Sequence, residues 1–211
     1  MIMQPQDIRA SRRAAVPLYA DKIDEISRLL AAHPWAPQHS LQVKKLALTI
    51  FDQTHALHLL GARERFLLEA AAMLHDIGFT ISGVKHHKHS QRIISEHDFR
   101  TLEKNERGLI AQIARYHRKA PPKLTHPPYR KLENYEREIV RKLSAILRIA
   151  DGLDRAHAQS VKAVRIFANE KTVTFTVKPP TVLAEDMRGA MKKKALLEEV
   201  FEKRAVFSAG S

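Results

Sequence analysis

The sequence predicts a mostly α-helical core with a small α+β cap in its C-terminal quarter. Three observations predict it. Apolar residues recur at helical spacing in several windows between residues 18 and 154. Proline and glycine break those windows apart. Beyond residue 158 the pattern switches to period two, in VKAVRIF and KTVTFTV. A chain of 211 residues fits one domain, or one domain with an appendage, and can bury a core without disulfides. Cysteine is absent, which excludes disulfides and thiolate metal sites and points to a reducing compartment. No apolar run approaches the roughly 20 residues of a membrane span, and the N-terminus lacks a secretory signal's apolar run. A cytoplasmic protein is expected.

Each element has its own justification. Residues 1–15 read as a basic arm. Leu18, Ile23, Ile26, Leu29 and Leu30 are spaced for a first helix that ends before Pro34. A second helix is predicted from His39 to about Leu60, with Val43, Leu46, Ala47 and Ile50 on the same buried face as His39. A third covers Arg63 to Ile77, with Phe66, Leu67, Ala70, Ala71 and Leu74 inward and Gly78 as its stop. The stretch FTISGVKHHKHS reads as a loop into a short helix from Ser90 to Glu96. The next helix runs from Glu103 to His117, with Ile110, Ile113, Ala114 and His117 on one face. RKAPPKLTHPPYRK holds four of the ten prolines and must be irregular. A long helix from Glu136 to Asp154 carries Ile139, Leu143, Ile146, Leu147 and Ala150, and Asp151 continues that stripe. A β-hairpin about Ala168-Asn169-Glu170 and a last helix from Ala184 to Arg204 complete the cap. The domains are therefore the arm, a helical domain over 16–158, and a hairpin-plus-helix unit over 159–211.

Six residues carry the chemistry: His39, His75, Asp76, His86, His117 and Asp151. Most sit at the end of an apolar stripe, where an unpartnered carboxylate is costly, so Asp76 and Asp151 need a cation or hydrogen-bond donors. His39, His75, Asp76 and Asp151 form a mixed imidazole and carboxylate set suited to Mn, Fe, Ni, Zn or Mg with positions left open for water. His86 and His117 extend it to a second ion, bridged by Asp76. Two such ions clamp the attacking and leaving oxygens of a phosphoester. Other readings stay open residue by residue: a hydrogen-bonded core histidine for His117, a turn cap for Asp151 and a solvated loop for His86-His87-Lys88-His89.

The arrangement H…HD…D at His39, His75-Asp76 and Asp151 resembles the HD superfamily of metal-dependent phosphohydrolases. AAMLHDIGFTISGVKHHKHSQRIIS, IARYHRKAPPKL and LSAILRIADGLDRAHAQSV, with the hairpin and KKKALLEEVFEKRAVF, are more narrowly similar to the C-terminal HD domain of the exopolyphosphatase and guanosine-pentaphosphate phosphohydrolase family. That resemblance spans about residues 15–207 and implies an HD-type helical bundle. In that family an actin-like pair of domains carries the phosphohydrolase site, and this sequence resembles the HD half standing alone. Exopolyphosphatase activity is therefore not carried over, whereas the superfamily's metal chemistry is. A Gly-Tyr-Pro motif of cyclic-dinucleotide phosphodiesterases is missing after His117, where the chain reads RKAPPKL. The acidic pair of stringent-response hydrolases is missing after Asp76, where it reads Ile77-Gly78-Phe79-Thr80.

Net charge is +13, which favours polyanionic partners. Lys85, Arg118 and Arg148 are expected to neutralise substrate phosphate beside catalytic Asp76, with Lys119 and Arg155 near the same ligands. Lys192-Lys193-Lys194 is expected to be a solvated face. One Trp and four Tyr make a poor base-stacking platform, so nucleic acid is not an expected partner, nor is a membrane. The expected activity is hydrolysis of a phosphoester or phosphoanhydride in a nucleotide-like or other phosphorylated small molecule, with one or two divalent ions. The competing expectation is a non-catalytic module that binds polyphosphate or a guanosine polyphosphate, or that serves as a regulatory homodimer.

Overall fold

The computed structural model describes residues 5–179, 181 and 184–210, with side chains from Tyr19 onward. Residues 1–4 of the expected arm and the side chain of Leu18 lie outside the described residues. The first helix, α1 (Pro5–Ala32), begins earlier than predicted, so the backbone from residue 5 to 15 is helical instead of an arm. Ile26, Leu29 and Leu30 bury its inner face. Lys22 Nζ reaches Glu106 at 2.6 Å, and the Glu25 carboxylate accepts the Arg100 and Thr101 N–H groups at 2.7 and 2.9 Å. These contacts lock α1 to the start of a later helix.

The expected second helix is two: α2 (Pro37–Gln53) and the single turn α3 (His55–His58). Thr54 breaks them apart, its hydroxyl bonding back to Ile50 O at 2.8 Å. Then come α4 (Ala62–Leu74), α5 (His86–Glu96), α6 (Lys104–Arg115), the one-turn α7 (Pro127–Arg130) inside the proline-rich loop, and α8 (Asn134–Gly152). Three of these start alike. Glu64, Glu106 and Glu136 reach back to the N–H of Gly61, Glu103 and Glu133 at 2.9, 3.0 and 2.8 Å. The predicted stripes are the core: Val43, Leu46, Ala47, Ile50, Leu67, Ala70, Ala71, Leu74, Ile110, Ile113, Leu143, Ile146 and Leu147 are all essentially inaccessible. Helix α4 sits centrally, packed by α1, α2, α6 and α8.

Gly78 does not end α4, which stops four residues earlier, and no glycine here has positive φ. Gly78 lies in a 3-10 turn (Ile77–Thr80), and a Cβ there would fall 2.2 Å from His86 O and 2.4 Å from Ser90 N. The missing side chain lets the start of α5, and with it His86, press against the His-Asp segment.

The hairpin is present as β1 (Ala163–Ala168) and β2 (Thr172–Lys178), antiparallel, with Asn169 Oδ1 closing the turn onto Lys171 and Thr172 N–H. Val173, Phe175 and Val177 alternate inward. The last helix differs from expectation. It splits into α9 (Ala184–Lys193) and α10 (Ala195–Phe201), ends at Glu202 in the left-handed region (φ 52°), and gives way to β3 (Arg204–Ala209). Strand β3 runs parallel to β2 and stacks Phe207 on Phe175 at 4.8 Å. The two short helices are thus the crossover between parallel neighbours.

Candidate metal centre

All six sequence-predicted ligands meet at one point, and each arrives from the end of an element. His39 is in the first turn of α2; His75 and Asp76 follow α4; His86 opens α5; His117 lies just past α6; Asp151 is in the last turn of α8. All six are at least 94% buried.

Helix ends explain how the rings are aimed. Carbonyls in a helix's last turn lack intrahelical partners. His75 Nδ1 donates to Ala72 O at 2.8 Å and His117 Nδ1 to Ala114 O at 2.7 Å, each three residues back. His86 Nδ1 lies 3.2 Å from Gly83 O in the loop before α5, and Arg118 Nη1 lies 3.1 Å from its Nδ1 and 3.0 Å from its Nε2. A carbonyl only accepts, so on His75 and His117 the proton sits on Nδ1 and Nε2 offers a lone pair to the centre. His39 Nδ1 is held at 2.8 Å by the carboxylate of Asp154, which is fully buried and also accepts Gln159 N–H at 2.8 Å. Sequence reasoning passed over Asp154; its visible mark was the DGLD spacing after a core stripe.

Asp76 divides its two oxygens. Oδ2 lies 3.5 Å from His75 Nε2 and 3.8 Å from His39 Nε2, whose ring nitrogen is 3.5 Å from Asp151 Oδ1. Oδ1 lies 3.2 Å from His86 Nε2 and 3.4 Å from His117 Nε2. The facing imidazole nitrogens are 3.3 Å apart within each pair, His39 with His75 and His86 with His117. Donors bound about 2.0–2.2 Å from one ion are spaced about 3.0–3.5 Å apart, so both groups fit a divalent cation. Asp76 Oδ1 is buried and accepts no hydrogen bond among the described residues, which is the state of an acceptor built for a cation. Among the described residues His39-His75-Asp151, Asp76-His86-His117 and His39-Asp76-His157 are thus three overlapping groups that could hold metal.

The electrostatics agree. Burial opposes charge on His39, but hydrogen bonds to Asp151 and Asp154 outweigh it and raise its pKa to about 9. A metal would displace that proton. Burial pushes His75 down and His117 well down, keeping both neutral as ligands must be. Asp76 is held below the usual carboxylate range against the effect of burial by the ring of imidazoles that shares its protons. For Asp151 burial is overcome by Lys193, His39 and His117. Both carboxyls stay ionised.

A cavity of about 280 Å3 opens onto this centre, lined by Asp76, His86, His117 and Asp151 on its floor. Its cations are Arg118, Lys119, Arg155, Lys192 and Lys193. Lys85 and Arg148 are not among them, which changes the expected phosphate-binding set. Lys85 is exposed at the N-cap of α5 with φ 59°. Arg148 directs its guanidinium at Tyr116 O and Lys119 O, at 3.0 and 3.1 Å, bracing the segment that holds His117. Lys193, expected on a solvated face, instead pairs with Asp151 Oδ2. Its sequence mark is the spacing Asp186, Gly189, Ala190, Lys193, one helical face beginning with a buried acid.

The single tryptophan, Trp35, stacks at 4.7 Å on Phe79 of the cavity wall, and Phe79 stacks on His86 at 3.8 Å. On the other side the exposed His157 stacks on His39 at 3.8 Å.

No curated protein matches the chain. No helix among the described residues is long and apolar enough to cross a membrane. The family described as Ppx/GppA phosphatase, domain III, matches residues 24–199, from within α1 to within α10, and covers every candidate ligand and all five cavity cations; the chain belongs to that family.

Proposed function

We propose that this protein is a metal-dependent phosphohydrolase whose centre is the His-Asp site itself, acting on a phosphoester or phosphoanhydride of a phosphorylated small molecule. The observation that carries the reading is the division of Asp76 between two imidazole pairs, with Oδ1 buried and unpartnered. His39, His75, Asp151 and Asp76 Oδ2 would hold one divalent ion. His86, His117 and Asp76 Oδ1 would hold a second. A donor set of nitrogen and oxygen without thiolate suits Mn, Fe, Ni, Zn or Mg. A bound divalent ion supplies Lewis-acid polarisation of a phosphoryl oxygen and acidification of water.

The chain's own residues do the rest. Arg118, Lys119, Arg155, Lys192 and Lys193 face the cavity and gather the substrate's negative charge. Asp76, which lines the same cavity, would also orient the attacking water. Arg148 and Asp154 keep His117 and His39 in place from behind.

The test is metal analysis of the purified protein, followed by turnover of p-nitrophenyl phosphate and bis-p-nitrophenyl phosphate with Mn2+. Stoichiometric metal, and turnover abolished in His75→Ala, support the reading. Wild type that takes up no metal and hydrolyses neither compound sinks it. The five cations on the cavity wall favour one second reading, a module that binds a phosphorylated ligand without cleaving it. Phosphate binding by metal-loaded protein with no turnover on either compound would decide for that module.

A further inference from the structure

The C-terminal unit reaches into the centre through one residue. Helices α8 and α9 cross at Gly152 and Gly189 with no side chain between them. A Cβ on Gly189 would fall 2.4 Å from Gly152 O, and one on Gly152 would fall 2.7 Å from the Ala190 backbone. The fully buried Asp186 fixes the start of α9 to the segment after α8, accepting Ala156 N–H at 2.8 Å and the Ser160 hydroxyl. One turn beyond Gly189, Lys193 is then placed against Asp151. Its side chain is 16% exposed and forms part of the cavity wall.

The partners of Asp151 are split like those of Asp76. Oδ1 faces His39 Nε2 at 3.5 Å, and Oδ2 takes the Lys193 ammonium. An ammonium has three donors. Lys193 makes no other hydrogen bond among the described residues, so its remaining N–H groups are free on the cavity side. We infer that Lys193 is a substrate-positioning residue, joining the outer oxygen of Asp151 to a phosphoryl oxygen of the ligand, so that α9 couples phosphate binding to the metal centre. This rests on the phosphohydrolase reading for the site, but it concerns ligand binding and not turnover. Because Oδ1 is the oxygen that faces the imidazoles, the bond from Lys193 to Oδ2 takes no donor atom from the ion.

The experiment uses Mn2+-loaded full chain and inorganic phosphate as the probe. Mn2+ and phosphate dissociation constants are measured by calorimetry for wild type, Lys193→Met, Lys193→Arg and Lys192→Met. The expected result is phosphate binding at least tenfold weaker in Lys193→Met, with Mn2+ affinity changed less than threefold, partial recovery in Lys193→Arg and a smaller loss in Lys192→Met. Equal loss of Mn2+ and phosphate affinity would overturn the inference, since Lys193 would then only brace Asp151. So would failure of Lys193→Met to fold, and so would wild type that binds no phosphate. Wild type that binds phosphate but hydrolyses nothing defeats the hydrolase reading and leaves this one standing.

Discussion

Gly189→Ala is the perturbation that best tests how the two parts of the molecule meet. The added methyl would lie 2.4 Å from Gly152 O and 2.8 Å from Arg155 Cβ. Ordinary contact needs about 3.4 Å, so α9 must withdraw by about 1 Å, because the nearest atom is backbone and cannot rotate away. Alanine gains about 1 kcal/mol over glycine in helix propensity. Overpacking of this kind costs about 1–3 kcal/mol. The net expectation is destabilisation of up to about 2 kcal/mol, a fall in Tm of up to roughly 8 °C for a chain of this size. The same withdrawal pulls Lys193 from Asp151. A misplacement of about 1 Å near a reacting centre costs on the order of 100-fold in rate. Thermal unfolding and p-nitrophenyl phosphate turnover are read together, with Gly108→Ala as control. Gly108 is in mid-α6 with nothing within 4 Å of an added Cβ, so alanine there should stabilise by up to about 1 kcal/mol and leave the site alone. A Gly189→Ala protein that melts higher than wild type and keeps its turnover would refute the close-crossing argument.

Other consequences follow from single residues. Asp154→Asn offers an amide donor where the His39 Nδ1–H and Gln159 N–H both need an acceptor; Mn2+ affinity should fall about 10–100-fold, measured by calorimetry, with the fold retained. Arg148→Met removes the donors to Tyr116 O and Lys119 O, and since Arg148 does not line the cavity, turnover should fall while phosphate affinity changes less than threefold. His58 lies outside the centre, buried, donating to Phe51 O at 2.8 Å and accepting from Leu60 N–H at 2.9 Å. Burial lowers its pKa from 6.5 to about 4. The folded protein holds it neutral while the unfolded chain protonates it, so its contribution is complete above pH 6.5 and is lost as pH falls towards 4, up to about 3 kcal/mol. Urea midpoints should drop between pH 7 and 5, and His58→Gln should flatten that slope.

The sequence made the bundle and the six ligands legible for the same reason. Apolar stripes mark helix faces that must be buried, and a histidine or aspartate that continues a stripe cannot be solvated. His39, His75, His117 and Asp151 all revealed themselves as ionisable residues in apolar register. The limits of elements were less visible. The break at Thr54 depends on a hydroxyl bonding its own helix, and β3 hides behind a run that continues the helical pattern until Glu202 turns left-handed. The cavity cations were the least legible. Long flexible side chains act several ångströms from their backbone, so Lys85 and Arg148, close in sequence to ligands, point elsewhere, while Lys193 arrives from 42 residues beyond Asp151.

The stack from Trp35 through Phe79 to His86 gives the molecule a built-in optical probe. A chain with one indole emits from one place, and that place is two ring contacts from a candidate ligand. Titrating ions into the protein should therefore change the wavelength or yield of its intrinsic fluorescence without any label.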